Sequence, residues 1–318
     1  MLQLRPPQQL LLKACLLTGE TAVESGKNWF QQVDIDRLES SSTCLLSILY
    51  RNLSQEQFQH PELPRLKGIF RRHWTYNQVL LKTVIPWLQQ LQSEGRGIII
   101  FGDLAWFTEA ENARKYRPSV GLNWLVSDFC LDRDLQQSGW EMTTKTEALQ
   151  IWRQPQKPSL SLHKHLYQAL PQSYTDRQVR ENSIVTKVGG IKVRCLSPTD
   201  RLLFICQQTM KRRGNYRLLG LVDSYNLLQT EAIDWINLVQ QAQRYERIIP
   251  LRTVLEFSSS YLGVDFPNWV LPSLRKMPIS DYELLSYDLR QENFSLRVKG
   301  LLLRQLRVYQ SWISTENS

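Results

Sequence analysis

Apolar residues recur at helical spacing through the first part of the chain. Leu45, Leu46, Leu49 and Leu53 form one such face, and the range Asn77–Leu91 repeats the pattern. Spacings of three and four residues place side chains on one side of a helix, so residues 8–95 are predicted to be helical. The prolines Pro61 and Pro64 interrupt this stretch and mark a boundary between helices.

The pattern changes after Gly95-Arg96-Gly97. Ile98–Phe101 is a continuous run of β-branched and aromatic residues, which is typical of a strand buried on both faces. Short helices are predicted at Leu104–Ala113 and Leu131–Gln137. Six more strands are predicted, the last two joined as a hairpin at Gly189-Gly190: Leu122–Val126, Trp140–Thr144, Leu149–Arg153, Ser159–His163, Ile184–Lys187 and Ile191–Cys195.

A helix start follows the last strand. Ser197 is suited to cap the helix, Pro198 fits its first turn, and Asp200 stands where a capping acid belongs. Helical spacing continues from there, ending with a helix near Leu296–Ile313. The fold class predicted is α+β. An N-terminal helical region (residues 1–95), a small mixed α/β core (96–195) and a C-terminal helical region (196–318) make up the chain.

The composition limits the classes of protein to which this chain can belong. The chain has 318 residues, 42% hydrophobic and 22% charged, which is typical of a globular protein. It lacks an apolar run of the ~20 residues that cross a bilayer, and its first residues do not resemble a signal peptide. We therefore expect no membrane insertion. Five cysteines without a Cys-x-x-Cys pair indicate reduced thiols in the cytoplasm rather than disulfides or zinc.

The net charge of +9 allows an acidic partner such as nucleic acid. The Lys and Arg residues are scattered along the sequence, however, so a nucleic acid partner is an alternative and not the leading interpretation.

Several short motifs occur in an order that carries more information than any one of them. These are Gly102 after Ile98–Phe101, Arg117-Pro118 before Gly121–Val126, Ser161-Leu162-His163, Leu196–Asp200, and Leu218–Asp223 followed by Asp234-Trp235. This order resembles the uncharacterised nucleotidyltransferase family of bacterial proteins. The resemblance implies a nucleotidyltransferase-like sheet between helices. It also implies Lys-Gly after the first strand, an Asp-x-Asp pair on the second, and a third acidic residue before Leu-His.

The sequence departs from that pattern at the positions that matter for metal binding. Gly121 and Asn123 stand where Asp-x-Asp is expected, Ser161 replaces the third acid, and Phe101 replaces the Lys. Nucleotidyl transfer uses two divalent cations about 4 Å apart, and magnesium needs oxygen ligands that are mainly carboxylates. The leading hypothesis is therefore a catalytically degenerate family member. It would be a binding or accessory component of a biosynthetic pathway, with a protein or small-molecule partner and no cofactor.

Two alternatives remain open. Asp103 and Asp128 are candidates for displaced metal ligands in an active transferase that uses Mg²⁺ and a nucleoside triphosphate. Both also fit helix caps. Gly102, Arg117, His163 and Lys211 are candidate nucleotide-binding residues. His163 and His165 would form a metal pair if they shared a strand face, although no third ligand is evident.

The second alternative is a basic adaptor that contacts RNA through residues 211–217 and the last helix. A solvated helix end explains the same cluster of basic residues.

Overall fold

The computed structural model describes residues 2–107, 116–119, 121–129, 131–155, 157–167, 172–210 and 216–287. The N-terminal region is helical, as its spacing predicts. Two short 3-10 helices lie at Ile35–Arg37 and Gly102–Phe107. The α-helices that precede the first strand are α1 (Pro6–Leu16), α2 (Gly19–Gln32), α3 (Ser40–Thr43), α4 (Leu46–Gln55) and α5 (Leu63–Ser93).

A seven-stranded mixed sheet forms the centre of the structure. Its strands lie in the order β3-β4-β5-β2-β1-β7-β6. β2 runs antiparallel to β1 and parallel to β5, and β1 is parallel to β7. Their bounds are β1 (Ile99–Phe101), β2 (Gly121–Leu125), β3 (Glu141–Lys145), β4 (Leu149–Arg153), β5 (Ser159–His163), β6 (Ile184–Val188) and β7 (Ile191–Cys195).

Helices cover both faces of this sheet. α6 (Asp132–Gln137) follows β2, and α7 (Gln172–Asn182) precedes β6. The C-terminal helices are α8 (Pro198–Met210), α9 (Tyr216–Thr230), α10 (Trp235–Arg244), α11 (Ile248–Leu262), α12 (Val270–Lys276) and α13 (Asp281–Tyr287). The architecture is α+β, as the sequence predicts.

Strand alternation divides the apolar residues into two clusters. Leu122 and Trp124 of β2 join Leu80, Val84 and Leu88 of α5 in one cluster. Leu125 of the same strand joins a larger cluster that also contains residues of α1, α4, α8, α9 and α11. Since successive side chains of a strand point to opposite faces, the sheet separates these clusters. One face packs against α6 and most of α5, and the other packs against the cluster that contains residues of α1, α4, α8, α9 and α11.

The local predictions agree closely with the structure. The strands at 149–153, 159–163 and 191–195 have the predicted bounds, and the β6–β7 hairpin turns at Gly189 and Gly190, both with positive φ. Ser197 accepts a hydrogen bond from the Asp200 amide at 3.1 Å, which confirms the cap of α8.

Two predictions need correction or fall outside the described residues. The helix predicted at Leu104–Ala113 is a 3-10 helix at Gly102–Phe107, and residues 108–115 lie outside the described part. The last helix, near Leu296–Ile313, also lies outside it. Within the described residues, no helix has the length and apolar character needed to cross a membrane.

Glu283 on α13 is a buried acid that caps another helix. Its side chain has 0% exposure, and Oε1 accepts a hydrogen bond at 2.6 Å from the amide of Ile249, in the first turn of α11. Burial raises the pKa of Glu283 to about 7, against the smaller opposing effects of that bond and of Arg247. The protonated form is therefore favoured in the folded protein below about pH 7.

This raised pKa predicts a pH-dependent stability. The stabilisation from neutral Glu283 is complete below the ordinary pKa of the acid, 4.5, and is lost as pH rises through about 7. Each unit of difference between the folded and unfolded pKa corresponds to about 1.4 kcal/mol, so the free energy of unfolding falls by about 3 kcal/mol at most. Urea unfolding between pH 4.5 and 8 should show it in the wild type and not in Glu283→Gln. Glu20→Gln on exposed α2 is the control; parallel curves for all three proteins would contradict the prediction.

Candidate functional site

The three positions expected to carry metal ligands lie on one face of the sheet. Asn123 of β2 is the register partner of Ser161 on β5 and of Phe101 on β1, and Gly121 is two residues away on the same strand. Register partners point to the same side of a sheet, and alternate residues of a strand share a face. The three positions indicated by the family resemblance therefore lie close together in the fold.

This face forms one wall of a cavity of about 240 Å³. α8 and α9 form the opposite wall, with Phe204, Gln208 and Asp223 among the residues that line it. The 3-10 helix adds Asp103 and Trp106. The cavity is thus built from segments that are far apart in sequence, and the larger apolar cluster surrounds it.

Asn123 and His163 are joined across the cavity wall. The Nε2 atom of His163 lies 3.2 Å from Oδ1 of Asn123, so the amide oxygen already has a partner. The ring of Phe101 contacts His163 edge-on at 5.0 Å between centroids, and it contacts Phe204 in the same way at 5.1 Å. At the position where the resemblance implies a Lys, this chain therefore has a buried aromatic contact.

The backbone at position 102, beside Asn123 and His163, requires a glycine. Its φ of +64° is strained for residues with a side chain, and a Cβ there would lie 2.8 Å from Nδ2 of Asn123. Asn123 therefore packs directly over the backbone of the loop after β1.

A buried ion group lines part of the cavity. Arg117 donates from Nε and Nη2 to the two carboxylate oxygens of Asp223, both at 2.7 Å. Its Nη1 donates to Asp103 at 2.7 Å and to the carbonyl of Pro118 at 3.1 Å. Asp103 also accepts from the amide of Gly121 at 3.0 Å. We call Asp103, Arg117 and Asp223 the ion triad; each residue is at most 5% exposed.

The charges of the ion triad stabilise one another. Burial lowers the pKa of Arg117, but Asp223 and Asp103 raise it more, so it stays above its ordinary value and the guanidinium remains charged. Burial raises the pKa of Asp223, and the adjacent Arg117 opposes that rise. Arg201 also lines the cavity and lies 5.1 Å from the ring centroid of Trp106. Two acids and two guanidinium groups therefore line the cavity, and Arg201 is also paired with Glu231 at 3.3 Å.

The donor set does not fit the two magnesium ions of nucleotidyl transfer. Gly121 has no side chain, Ser161 offers a neutral hydroxyl, and the amide oxygen of Asn123 is bonded to His163. Asp103 and Asp223 do converge, but Arg117 lies between them. Among the described residues, no group of three or more His, Cys, Asp and Glu side chains is arranged to hold a metal ion.

The structure brings together only some of the predicted site residues. Gly102, Arg117 and His163 line the cavity, although Arg117 is already bound to two acids. Lys211 and most of the basic segment 211–217 lie outside the described residues. β5 ends at His163, so His163 and His165 do not share a strand face, and the condition for the metal pair, which the sequence did not favour, is not met.

Asp128 does not meet Asp103. It lines a separate cavity of about 150 Å³ with Val126 and Leu131. Nor does it cap α6, because the cap position belongs to Leu131; that interpretation is wrong.

The interpretation of Asp103 as a cap missed its partners Arg117 and Gly121. No role is assigned to Asp223 from the sequence alone. The feature that indicates a role for it is that it is a lone acid within the apolar helix α9.

The ion triad predicts unequal effects of mutation. Arg117→Met leaves two buried carboxylates without their cation, which should lower the free energy of unfolding by about 3 to 5 kcal/mol. The triple variant with Asp103→Asn and Asp223→Asn as well removes all three charges. It should be about 2 kcal/mol more stable than Arg117→Met alone. Urea denaturation checks both values.

Arg37→Met is a matched control, since Arg37 makes only an exposed ion pair with Asp34. It should change the free energy of unfolding by less than about 0.5 kcal/mol. A triple variant no more stable than Arg117→Met would show that packing, and not unpaired charge, causes the loss.

Two comparisons with known proteins found similarity to this chain. A crystal structure of an antigenic nucleotidyltransferase-like protein from Paracoccidioides brasiliensis is similar over 61% of this chain and 96% of its own, with 19% identity and a TM-score of 0.42. No curated protein matches the chain in sequence. A protein-family model described as uncharacterised nucleotidyltransferase matches residues 42–263. Because that match covers more than half of the chain, the protein belongs to the uncharacterised nucleotidyltransferase family.

Proposed function

We propose that this protein is a catalytically degenerate member of its family, and that its cavity binds a small molecule without metal-dependent nucleotidyl transfer. The observation that carries the proposal is that Gly121, Asn123 and Ser161 lie on one face of the sheet, where Asn123 and Ser161 form part of one cavity wall, and that none of the three is a carboxylate. A site for two divalent cations beside a triphosphate needs several negative charges, and this wall supplies none.

The remaining polar groups support a different kind of ligand. Asn123, Ser161 and Gln208 offer neutral amide and hydroxyl groups to the cavity, next to the ring of Phe204. Neutral hydrogen-bonding groups beside an aromatic wall suit a small uncharged molecule better than a metal-bound triphosphate. In this proposal the protein acts as a binding or accessory component of a biosynthetic pathway.

The active-enzyme alternative has one specific observation in its favour. Asp103 and Asp223 approach each other in the cavity, and this pair replaces the Asp103–Asp128 pair considered from the sequence. Metal binding there requires Arg117 to release two buried carboxylates. Breaking such buried pairs costs about 3 to 5 kcal/mol, which would offset much of the gain from binding a metal.

Calorimetry distinguishes these two functions. Each of the four ribonucleoside triphosphates is titrated with and without Mg²⁺, and pyrophosphate release is followed in parallel. We expect no magnesium-dependent increase in affinity and no pyrophosphate, because the cavity wall lacks the carboxylates that hold the metal. Affinity that rises at least tenfold with Mg²⁺ in the wild type, and not in Asp103→Asn, would favour the active enzyme.

Restoring the carboxylates provides a second test. Asn123→Asp with Ser161→Glu places two acids on register partners of adjacent strands, ~4.8 Å apart. Mn²⁺ binding measured by electron paramagnetic resonance should be at least tenfold tighter than in the wild type. Gly121→Asp is added last, because its Cβ would lie 3.3 Å from Oγ of Ser159 and that hydroxyl must shift.

The matched control places the same charges on exposed β3, as Thr143→Asp with Thr144→Glu. Restored variants that bind Mn²⁺ no better than this control would mean that more than the ligands has changed in the cavity.

A further inference from the structure

One exposed stripe of α5 combines basic residues with an aromatic side chain. The stripe consists of residues at successive intervals of four, three, four and four along the helix: Lys67, Arg71, Trp74, Gln78 and Lys82. At 3.6 residues per turn, these intervals keep all five side chains within about a quarter of the circumference. The buried residues Leu80 and Leu91 lie on the opposite side of the helix, and within the stripe Gln78 is half-buried.

The charge along α5 has one sign. Its 31 residues include five Lys and Arg residues and no Asp or Glu. Arg65, before the stripe, pairs with Asp36 and Glu62. Lys67, Arg71 and Lys82 form no ion pair with any residue of the described part of the chain. Ordinary solvated helices mix both signs along such a face, so an unbalanced row of cations points to a polyanionic partner.

Trp74 is exposed among these cations. Its side chain is 45% exposed, whereas Trp29, Trp124 and Trp152 are at most 1% exposed. α5 itself is held firmly against the sheet by the apolar cluster that includes Leu80 and Leu88. The stripe therefore presents an indole ring and three cations from a rigid element.

We propose that the α5 stripe binds single-stranded nucleic acid, with a base stacked on Trp74 and phosphates contacted by Lys67, Arg71 and Lys82. Aromatic rings that stack on bases and flanking cations that follow the backbone are how proteins bind single strands without sequence preference. The stripe extends ~22 Å along the helix, long enough for several nucleotides. It lies on the sheet face opposite the cavity, so it does not depend on the proposed ligand of that cavity.

An anionic membrane is the competing polyanion. A helix that adsorbs to lipid needs a broad apolar face directed at the bilayer. In α5 that face is buried in the protein, and Trp74 is the apolar side chain left on the stripe. Val79, also exposed, lies outside the stripe. A single ring with three cations suits base stacking and phosphate contact better than lipid insertion.

Fluorescence anisotropy with a labelled 15-nucleotide single-stranded RNA, in 50 mM salt, tests the proposal on the full chain. Trp74→Ala should weaken binding about tenfold through loss of stacking, and Trp74→Phe should keep most of the affinity. Lys67→Glu with Arg71→Glu should weaken it by more than tenfold. The logarithm of the affinity should fall with the logarithm of salt concentration with a slope of about −2, as expected for three phosphate contacts.

Lys27→Glu with Lys276→Glu is the matched control, since it removes the same charge at exposed positions on α2 and α12. Equal losses in this control and the stripe variant would overturn the proposal, because net charge alone would then explain binding. No binding of RNA by the wild type, or binding only to vesicles rich in anionic lipid, would also overturn it. Circular dichroism and the melting temperature verify that each variant is folded.

Discussion

A buried guanidinium group holds the cavity together. Arg117 lies in the segment between β1 and β2, and its carboxylate partners come from the 3-10 helix after β1 and from α9. The same Asp103 binds the amide of Gly121 and so fixes the start of β2. Because an unpaired charge at this depth is strongly unfavourable, the three segments must meet in one arrangement. The cavity wall and the helices that close it depend on that arrangement.

The ion triad also limits the chemistry of the cavity. Its two carboxylates line the cavity, and both are bound by Arg117. Asn123 and His163 form a hydrogen bond with each other on the sheet, and the aromatic ring of Phe101 lies beside them. The polar side chains at these positions are thus held by contacts with their neighbours, and the proposal of a binding site rests on this arrangement.

The sheet separates two surfaces with different properties. One face bounds a cavity lined by two acids and two guanidinium groups, and the other carries α5, whose exposed side is basic. Binding at one surface does not require the other. The family scaffold can therefore serve as a rigid support, since its strands and α5 are fixed by two separate apolar clusters.

Local patterns along the chain were sufficient to predict most strands and the start of α8, and the order of motifs marked the positions of the candidate site. Alternation and turn residues predicted β4, β5 and the β6–β7 hairpin, because those features depend on neighbours in the chain. The order of motifs placed Gly121, Asn123 and Ser161 on one site. Only the tertiary structure paired Arg117 with Asp223, 106 residues apart, and assigned Asp128 to a different cavity. Such pairings depend on how the sheet and helices pack, which no local spacing of residues records.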